Sequence, residues 1–356
     1  VSHLDLTADI VELTASLVDV SSVSHHEAVL ADSVERALRE FEHLDVARIG
    51  NNVIARTQLG LAERVVIAGH LDTVPEAGNL PSRLVDDRLY GLGACDMKGG
   101  VAVALSLAAR SAHATREVTF VFYATEEVED QYNGLAEVLD ERPDLLKADF
   151  AILMEPSDAG VEAGCQGSLR VIVRSKGVRA HSARSWVGEN AIHYASEILE
   201  RLIDYTPRTV GIDGLDYREG LSAVRIEGGV AGNVIPDECA VTVNYRYAPD
   251  RSPDEAVIHL REVFAGFDLE VGDNAPPALP GLDRPAAKAF VAAVGVTPRP
   301  KFGWTDVARF SAIGVPAVNF GPGDPLVAHT VDEYVPIAHL RSTLAVMSAW
   351  LGLDQS

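Results

Sequence analysis

Short apolar runs with polar ends set the rhythm of the first half of the chain. RVVIAGH (residues 64–70), EVTFVFYATEE (117–127) and ADFAILMEP (148–156) have the length and composition of buried parallel strands. MKGGVAVALSLAARSA (97–112) predicts a helix with small residues on its packing face, and GLAEVLDERP (134–143) one that its proline stops. Near the start, Leu6, Ile10, Leu13 and Leu17 recur at helical spacing. Strand–helix–strand order predicts an α/β sheet with right-handed crossovers. Ligands of such sheets lie beyond the carboxyl ends of the strands.

From about residue 168 the pattern changes. LRVIVRSKG reads as a strand, GENAIHYASEILERLIDY as a helix, and LSAVRIEGG and ECAVTVNYRYA as two strands. SPDEAVIHLREVFAG follows as a helix and FDLEVGD as a last strand. That order is β-α-β-β-α-β, the ferredoxin-like pattern. NAPPALPGLDRP (274–285) then marks a boundary, and PAVNFG (316–321) is a further strand. The economical architecture is an α/β domain, 1–167 with 281–356, carrying an inserted α+β domain, 168–280. A length of 356 residues fits two domains at about 150 residues each.

Composition narrows the class of partners. A formal net charge of −22 argues against nucleic acid and anionic membrane, which need basic patches. The longest apolar run, GGVAVALSLAA, is too short for a bilayer, which takes about 20 residues. The start has no basic segment followed by an apolar core, so no signal peptide is read there. Cys95, Cys165 and Cys239 are few, scattered and odd in number, which excludes a disulfide framework and suits a reducing cytoplasm.

The chemistry gathers at strand ends. His70 and Asp72, Glu126 and Glu127, and Glu155 each follow a predicted strand at the same relative place. PAVNFG leads to His329, and YGLGACDMKGG sets Asp96 in a glycine-rich turn before a helix. Alone, His70 reads as a polar residue at a strand end. Two histidines and several acids converging there need a cation, since packed carboxylates repel and raise each other's pKa. Imidazole and carboxylate without thiolate suit zinc. His70, Asp96, Glu127, Glu155 and His329 give each of two metals three protein ligands if Asp96 bridges, leaving room for water. Asp72, two residues beyond His70, is placed to accept the second ring N–H. Adjacent strand side chains point to opposite sides. One of Glu126 and Glu127 is therefore free to face the attacking water, though spacing does not say which. GLGACD lacks the third glycine of a dinucleotide fingerprint, and GxSxG is absent.

GHLDTVP, GLGACDMKGG, YATEEVEDQYNG, MEP and GPGDPLVAHTVDE, in this order, resemble the metal-site motifs of the M20 family of dinuclear zinc aminoacylases and peptidases. The resemblance spans nearly the whole chain. It implies a zinc-peptidase-like catalytic domain with a mixed sheet and a ferredoxin-like lid that also dimerises. It implies two Zn²⁺ per subunit, with Co²⁺ able to substitute. His70 and Glu155 would hold one metal, Glu127 and His329 the other, and Asp96 both. Glu126 becomes the general base and Asp72 the orienter, with a cis peptide at Asp96–Met97. His181 in AHSARSW matches a histidine that reaches the partner subunit's site to support the oxyanion. Asn233, Arg246 and Thr305 match positions that bind polar groups of a small N-acyl amino acid.

AGHLDTVPEAGNLPSR, EAGCQGSLRV, AHSARSW and GGVAGNVIPD bring the chain nearest to the desuccinylases of the family in their actinobacterial form. These enzymes serve lysine and diaminopimelate synthesis. Deacetylases of the acetylornithine kind, aminoacylases and carboxypeptidases are the rival enzyme readings, and an inactive metal-stabilised binding protein the rival outside enzymes. Two departures stand where a substrate carboxylate would be read. Cys165 and Gln166 replace an arginine pair of the proteobacterial type, and Asp324 replaces an asparagine. Arg184 is the expected replacement charge.

Overall fold

The structure is a computed structural model that describes residues 3–353. The outermost residues of the expected first domain, 1–2 and 354–356, lie outside the described residues. The chain divides into two compact units. The first comprises Val1–Ala163, Gly281–Arg299 and Arg309–Ser356, and the second Gly164–Pro280 with Pro300–Ala308.

In the first unit a mixed sheet runs in the order 44–49, 52–57, 117–123, 64–70, 150–153, 317–319, 162–163, 299–300. Its four central members, Glu117–Tyr123, Arg64–His70, Phe150–Leu153 and Ala317–Asn319, are parallel to their neighbours within that group. These are the apolar runs of the sequence, buried on both faces as helices cover them. Antiparallel strands extend the sheet on either side.

The helix Gly99–Arg110 packs on this sheet, and its small residues are required there. A Cβ on Gly100 would stand 2.1 Å from the carbonyl oxygen of Met154, a contact only glycine avoids. Just before the helix, Gly93 takes φ +75°, and the Asp96–Met97 peptide is cis.

The second unit is built on an antiparallel four-stranded sheet, ordered 220–228, 238–247, 167–176, 268–275. With helices Ala191–Asp204 and Pro253–Val263 it reproduces β-α-β-β-α-β. Burial alternates along Glu238–Tyr247, so Val241, Val243, Tyr245 and Tyr247 enter the core with Ile198 and Leu260. The segment 300–308 joins this unit, although the sequence expectation put it in the first. Trp304 Nε1 donates to the carbonyl of Pro276 at 2.9 Å, holding the segment beside the start of the domain-boundary linker.

Candidate metal centre

His70 closes its strand and is 1% exposed. Its Nδ1 lies 3.1 Å from the Asp72 carbonyl oxygen and 3.5 Å from Asp72 Oδ1. The expected orienting contact thus has two parts, with the backbone oxygen the nearer. Asp72 does more than orient the ring. Its Oδ1 accepts the backbone N–H of Glu126 at 3.0 Å, and its Oδ2 accepts that of Glu127 at 3.1 Å and the Ser24 hydroxyl at 2.8 Å.

Those contacts correct the reason given for separating the two glutamates. The strand stops at Tyr123, and Thr125 takes φ +55°. Glu126 and Glu127 therefore leave the strand in a turn, where alternation of strand side chains does not apply. Asp72 fixes the turn by taking both amides.

Asp96 stands between two histidines. Its Oδ1 lies 3.2 Å from His70 Nε2, and its Oδ2 lies 3.4 Å from His329 Nε2. His329, at φ +61°, places the same nitrogen 2.8 Å from Glu127 Oε1. Ligand atoms of His70, Asp96 and Glu127 all fall within 4.8 Å of one another. Glu155 is not a member of that group. It follows the strand next to that of His70, and the Met154 N–H donates to the Ala68 carbonyl at 2.9 Å, bringing Glu155 level with His70.

Electrostatics match a cation site. Burial pushes the His70 imidazolium down, but its bonds to Asp72 and Asp96 prevail and raise it well above its ordinary value. Bonds to Asp96 and Glu127 raise His329 to about 10. Burial opposes ionisation of Asp96, yet contacts with His329 and His70 hold it below the usual carboxylate range. Without a metal, protons on the two imidazoles neutralise the carboxylates, and a divalent ion can replace them. The Cys95 thiol is pushed far up by burial and by neighbouring carboxylates, so it offers no thiolate. The donors are imidazole and carboxylate, which fits a divalent metal.

Sequence reasoning missed two supports. Ser24 holds Asp72, from a loop that bridges to Thr73. Glu333, 2% exposed, accepts the backbone N–H groups of Gly93, Cys95 and Asp96. Burial pushes its carboxyl up to about 7 against the pull of those three donors. It lies inside the TVDE stretch, but nothing in the spacing marks a residue whose partners are over 230 positions away.

The remaining expected residues lie in the second unit. His181 pairs with Val234 across a short antiparallel bridge, and the Ser182 N–H donates to the Asn233 carbonyl at 2.9 Å, so His181 and Asn233 are neighbours. His181 Nδ1 accepts the Ala183 N–H at 3.1 Å. A neutral ring with that bond carries its proton on Nε2, as a donor. Arg184 sits in the following 3₁₀ turn and, among the described residues, has no carboxylate partner. Arg246 is half-buried and likewise unpaired among the described residues, and desolvation lowers its pKa. Cys165 is buried, its thiol donating to the Thr305 carbonyl at 3.8 Å, and the Gln166 amide is engaged by the Arg218 carbonyl at 2.8 Å. Asp324 Oδ1, in the first unit, accepts the Leu326 N–H within its own loop.

An imidazole–carboxylate cluster at the carboxyl ends of parallel strands, buried at His70 and open to solvent at His329, with a second glutamate next in the chain, fits a metal-dependent hydrolase. The sequence profile described as Peptidase family M20/M25/M40 matches residues 66–352, and the chain belongs to that family. A Corynebacterium glutamicum succinyl-diaminopimelate desuccinylase is 48% identical over 359 residues, covering 98% of this chain and 97% of that protein. A Mycobacterium tuberculosis protein, provisionally assigned the same activity, is 55% identical over 352 residues, covering 98% of this chain and 99% of the other. The fold is also that of the Bacillus subtilis YXEP protein, described as a dinuclear metal-binding peptidase of family M20. That structure has a TM-score of 0.71 at 19% identity, covering 98% of each chain. The chain is accordingly a metallo-amidohydrolase.

Proposed function

We propose that the chain hydrolyses the amide bond of N-succinyl-LL-2,6-diaminopimelate, releasing succinate and LL-2,6-diaminopimelate for lysine and cell-wall synthesis in the cytoplasm. The observation that carries this reading is Asp96 between His70 and His329 with Glu127 alongside, next to a glutamate fixed by Asp72. The near relatives named as desuccinylases support the substrate.

In this reading His70, Asp96, Glu127, Glu155 and His329 hold two zinc ions, for which cobalt can substitute. When bound, such ions polarise a carbonyl and acidify water. Glu126 takes a proton from the attacking water as the water oxygen bonds to the succinyl carbonyl carbon. The carbon–nitrogen bond then breaks, and Glu126 returns that proton to the leaving amine. Asp72 keeps the Glu126 backbone and the His70 ring fixed throughout. His181 donates from Nε2 to the oxyanion. The guanidiniums of Arg246 and Arg184, which have no carboxylate partner among the described residues, supply the positive charge that a succinyl carboxylate needs, in place of the arginine pair absent at Cys165 and Gln166. Asn233 and Thr305 bind further polar groups of the substrate.

A homodimer through the second unit completes the reading. Strand Gly220–Gly228 is the edge of its sheet and exposes Val224 and Ile226, 60% and 52%. An exposed apolar edge strand is a template for pairing. The trans contribution of His181 would make the dimer the active form.

Steady-state hydrolysis of N-succinyl-LL-2,6-diaminopimelate beside N-acetylornithine, with and without a chelator, tests this. A chelator-sensitive preference for the succinyl substrate supports the reading. Preference for the acetyl substrate replaces the substrate and leaves the dimetal mechanism, and activity on neither refutes the assignment.

A further inference from the structure

We infer that Glu333 is a positioning residue that holds the turn carrying Asp96, and that it thereby sets the gap across which Asp96 meets His70 and His329. The inference rests on the reading of Asp96 and His329 as metal ligands and adds a residue that binds no metal itself.

Three backbone donors converge on one buried carboxylate. Gly93 N–H meets Oε2 at 3.0 Å, and the Cys95 and Asp96 N–H groups meet Oε1 at 2.8 and 3.0 Å. The backbone joins in, as the Gly91 N–H donates to the Glu333 carbonyl at 3.1 Å. Four of the six residues from Gly91 to Asp96 are thus tied to this single position. A turn with successive N–H groups pointing inward ordinarily binds an external anion. Here the protein supplies the anion itself.

Glu333 is anchored on its other side. Its own N–H donates to the Thr330 carbonyl at 3.3 Å, and the next residue, Tyr334, pairs with Tyr90 in an antiparallel strand pair. His329 lies four residues before Glu333 on the same short stretch. One segment therefore presents a ligand and clamps the peptide of the ligand it faces. Removing the carboxylate leaves buried amides without acceptors, including that of Asp96, and the turn must move to satisfy them. Metal geometry tolerates little movement, and loss of a group that orients ligands typically costs about 10- to 100-fold in metal affinity.

The test compares wild type with Glu333→Gln and Glu333→Asp. Its readouts are metal content after dialysis, competition with a chelator, and the Co²⁺ visible absorption spectrum. Thermal melting of the metal-free proteins serves as the folding control. Gln keeps at most one acceptor oxygen and sets an amide donor against a backbone donor. The expected result is fewer than two metals per chain, or about a tenfold weaker second site, with altered Co²⁺ bands in a folded protein and partial recovery in the Asp variant. A folded Gln variant that binds two metals with wild-type affinity and spectrum overturns the inference, whatever its melting temperature. If the variants do not fold, hydrogen exchange of metal-free wild type decides. Amides of 91–96 should exchange slowly, and exchange as fast as in an unstructured peptide would overturn it. A wild-type chain that binds no metal fails the ligand reading itself, which separates the two failures.

Discussion

The Oδ1 of Asp72 accepts the backbone N–H of Glu126 at 3.0 Å. The same side chain stands 3.5 Å from the His70 ring. A single carboxylate therefore aligns the residue read as base and a residue read as ligand. Asp72→Asn keeps the shape but replaces one acceptor oxygen with a donor facing either an N–H or the Ser24 hydroxyl. The expected outcome is a fall in kcat of about 10- to 100-fold with metal content little changed. Ser24→Ala, which removes one of the contacts to Asp72, should cost less. Equal kcat in wild type and Asp72→Asn would show that this alignment is not needed.

Glu126→Gln removes the proton acceptor and leaves the backbone N–H on Asp72. Turnover should drop by about 10²- to 10⁴-fold, while metal content and KM stay close to wild type. Steady-state kinetics with metal analysis on one preparation checks both parts. Near-normal turnover would take the base role from Glu126, and loss of metal would mean that its side chain is a ligand.

A charge on the exposed edge strand tests the dimer. Lysine on an edge strand opposes pairing with a second strand. Val224→Lys with Ile226→Lys should convert a dimer to a monomer in sedimentation, leaving the fold of each chain intact. If His181 acts in trans, hydrolysis should fall with the dimer fraction and recover at high protein concentration. A monomeric wild type with full activity would refute the trans role.

The parts of this protein legible in the sequence are those governed by local pattern. Arg64–His70 and Glu117–Tyr123 are apolar on both faces, so their runs announce central strands, and His70 can be read at a strand end without coordinates. The β-α-β-β-α-β order is legible for the same reason, since each element has its own period. Contacts closed over long sequence separations are not. Ser24 reaches Asp72 across 48 positions and Glu333 reaches Cys95 across 238, and neither shows a periodic signal. The turn at Thr125 was also hidden, because φ +55° on a β-branched residue is set by its surroundings and runs against its own preference. The membership of 300–308 in the second unit follows from contacts such as Trp304 with Pro276, which no composition shift marks.

The second unit carries a pH-dependent support of its own. Arg208 grips Glu219 with two hydrogen bonds, 3.1 Å from Nε to Oε2 and 2.7 Å from Nη2 to Oε1, and the Ala248 N–H adds a third at 3.1 Å. The Glu219 side chain is fully buried, while Arg208 is 38% exposed and also meets Asp250. Burial raises the Glu219 pKa, but these partners prevail and hold it below its ordinary value. A depressed folded-state pKa contributes stability that is present above the unfolded value, near 4.5, and is lost as pH falls through the folded value. Glu219→Gln should therefore cost about 2 kcal/mol near neutral pH, below the usual range for a broken buried pair because Arg208 keeps partial access to water and to Asp250. The difference from wild type should shrink as pH drops below about 4.5. Urea unfolding of both proteins at several values between pH 3 and 7 measures this. A difference that stays constant across that range would mean that packing at Glu219, and not its charge, supports the sheet.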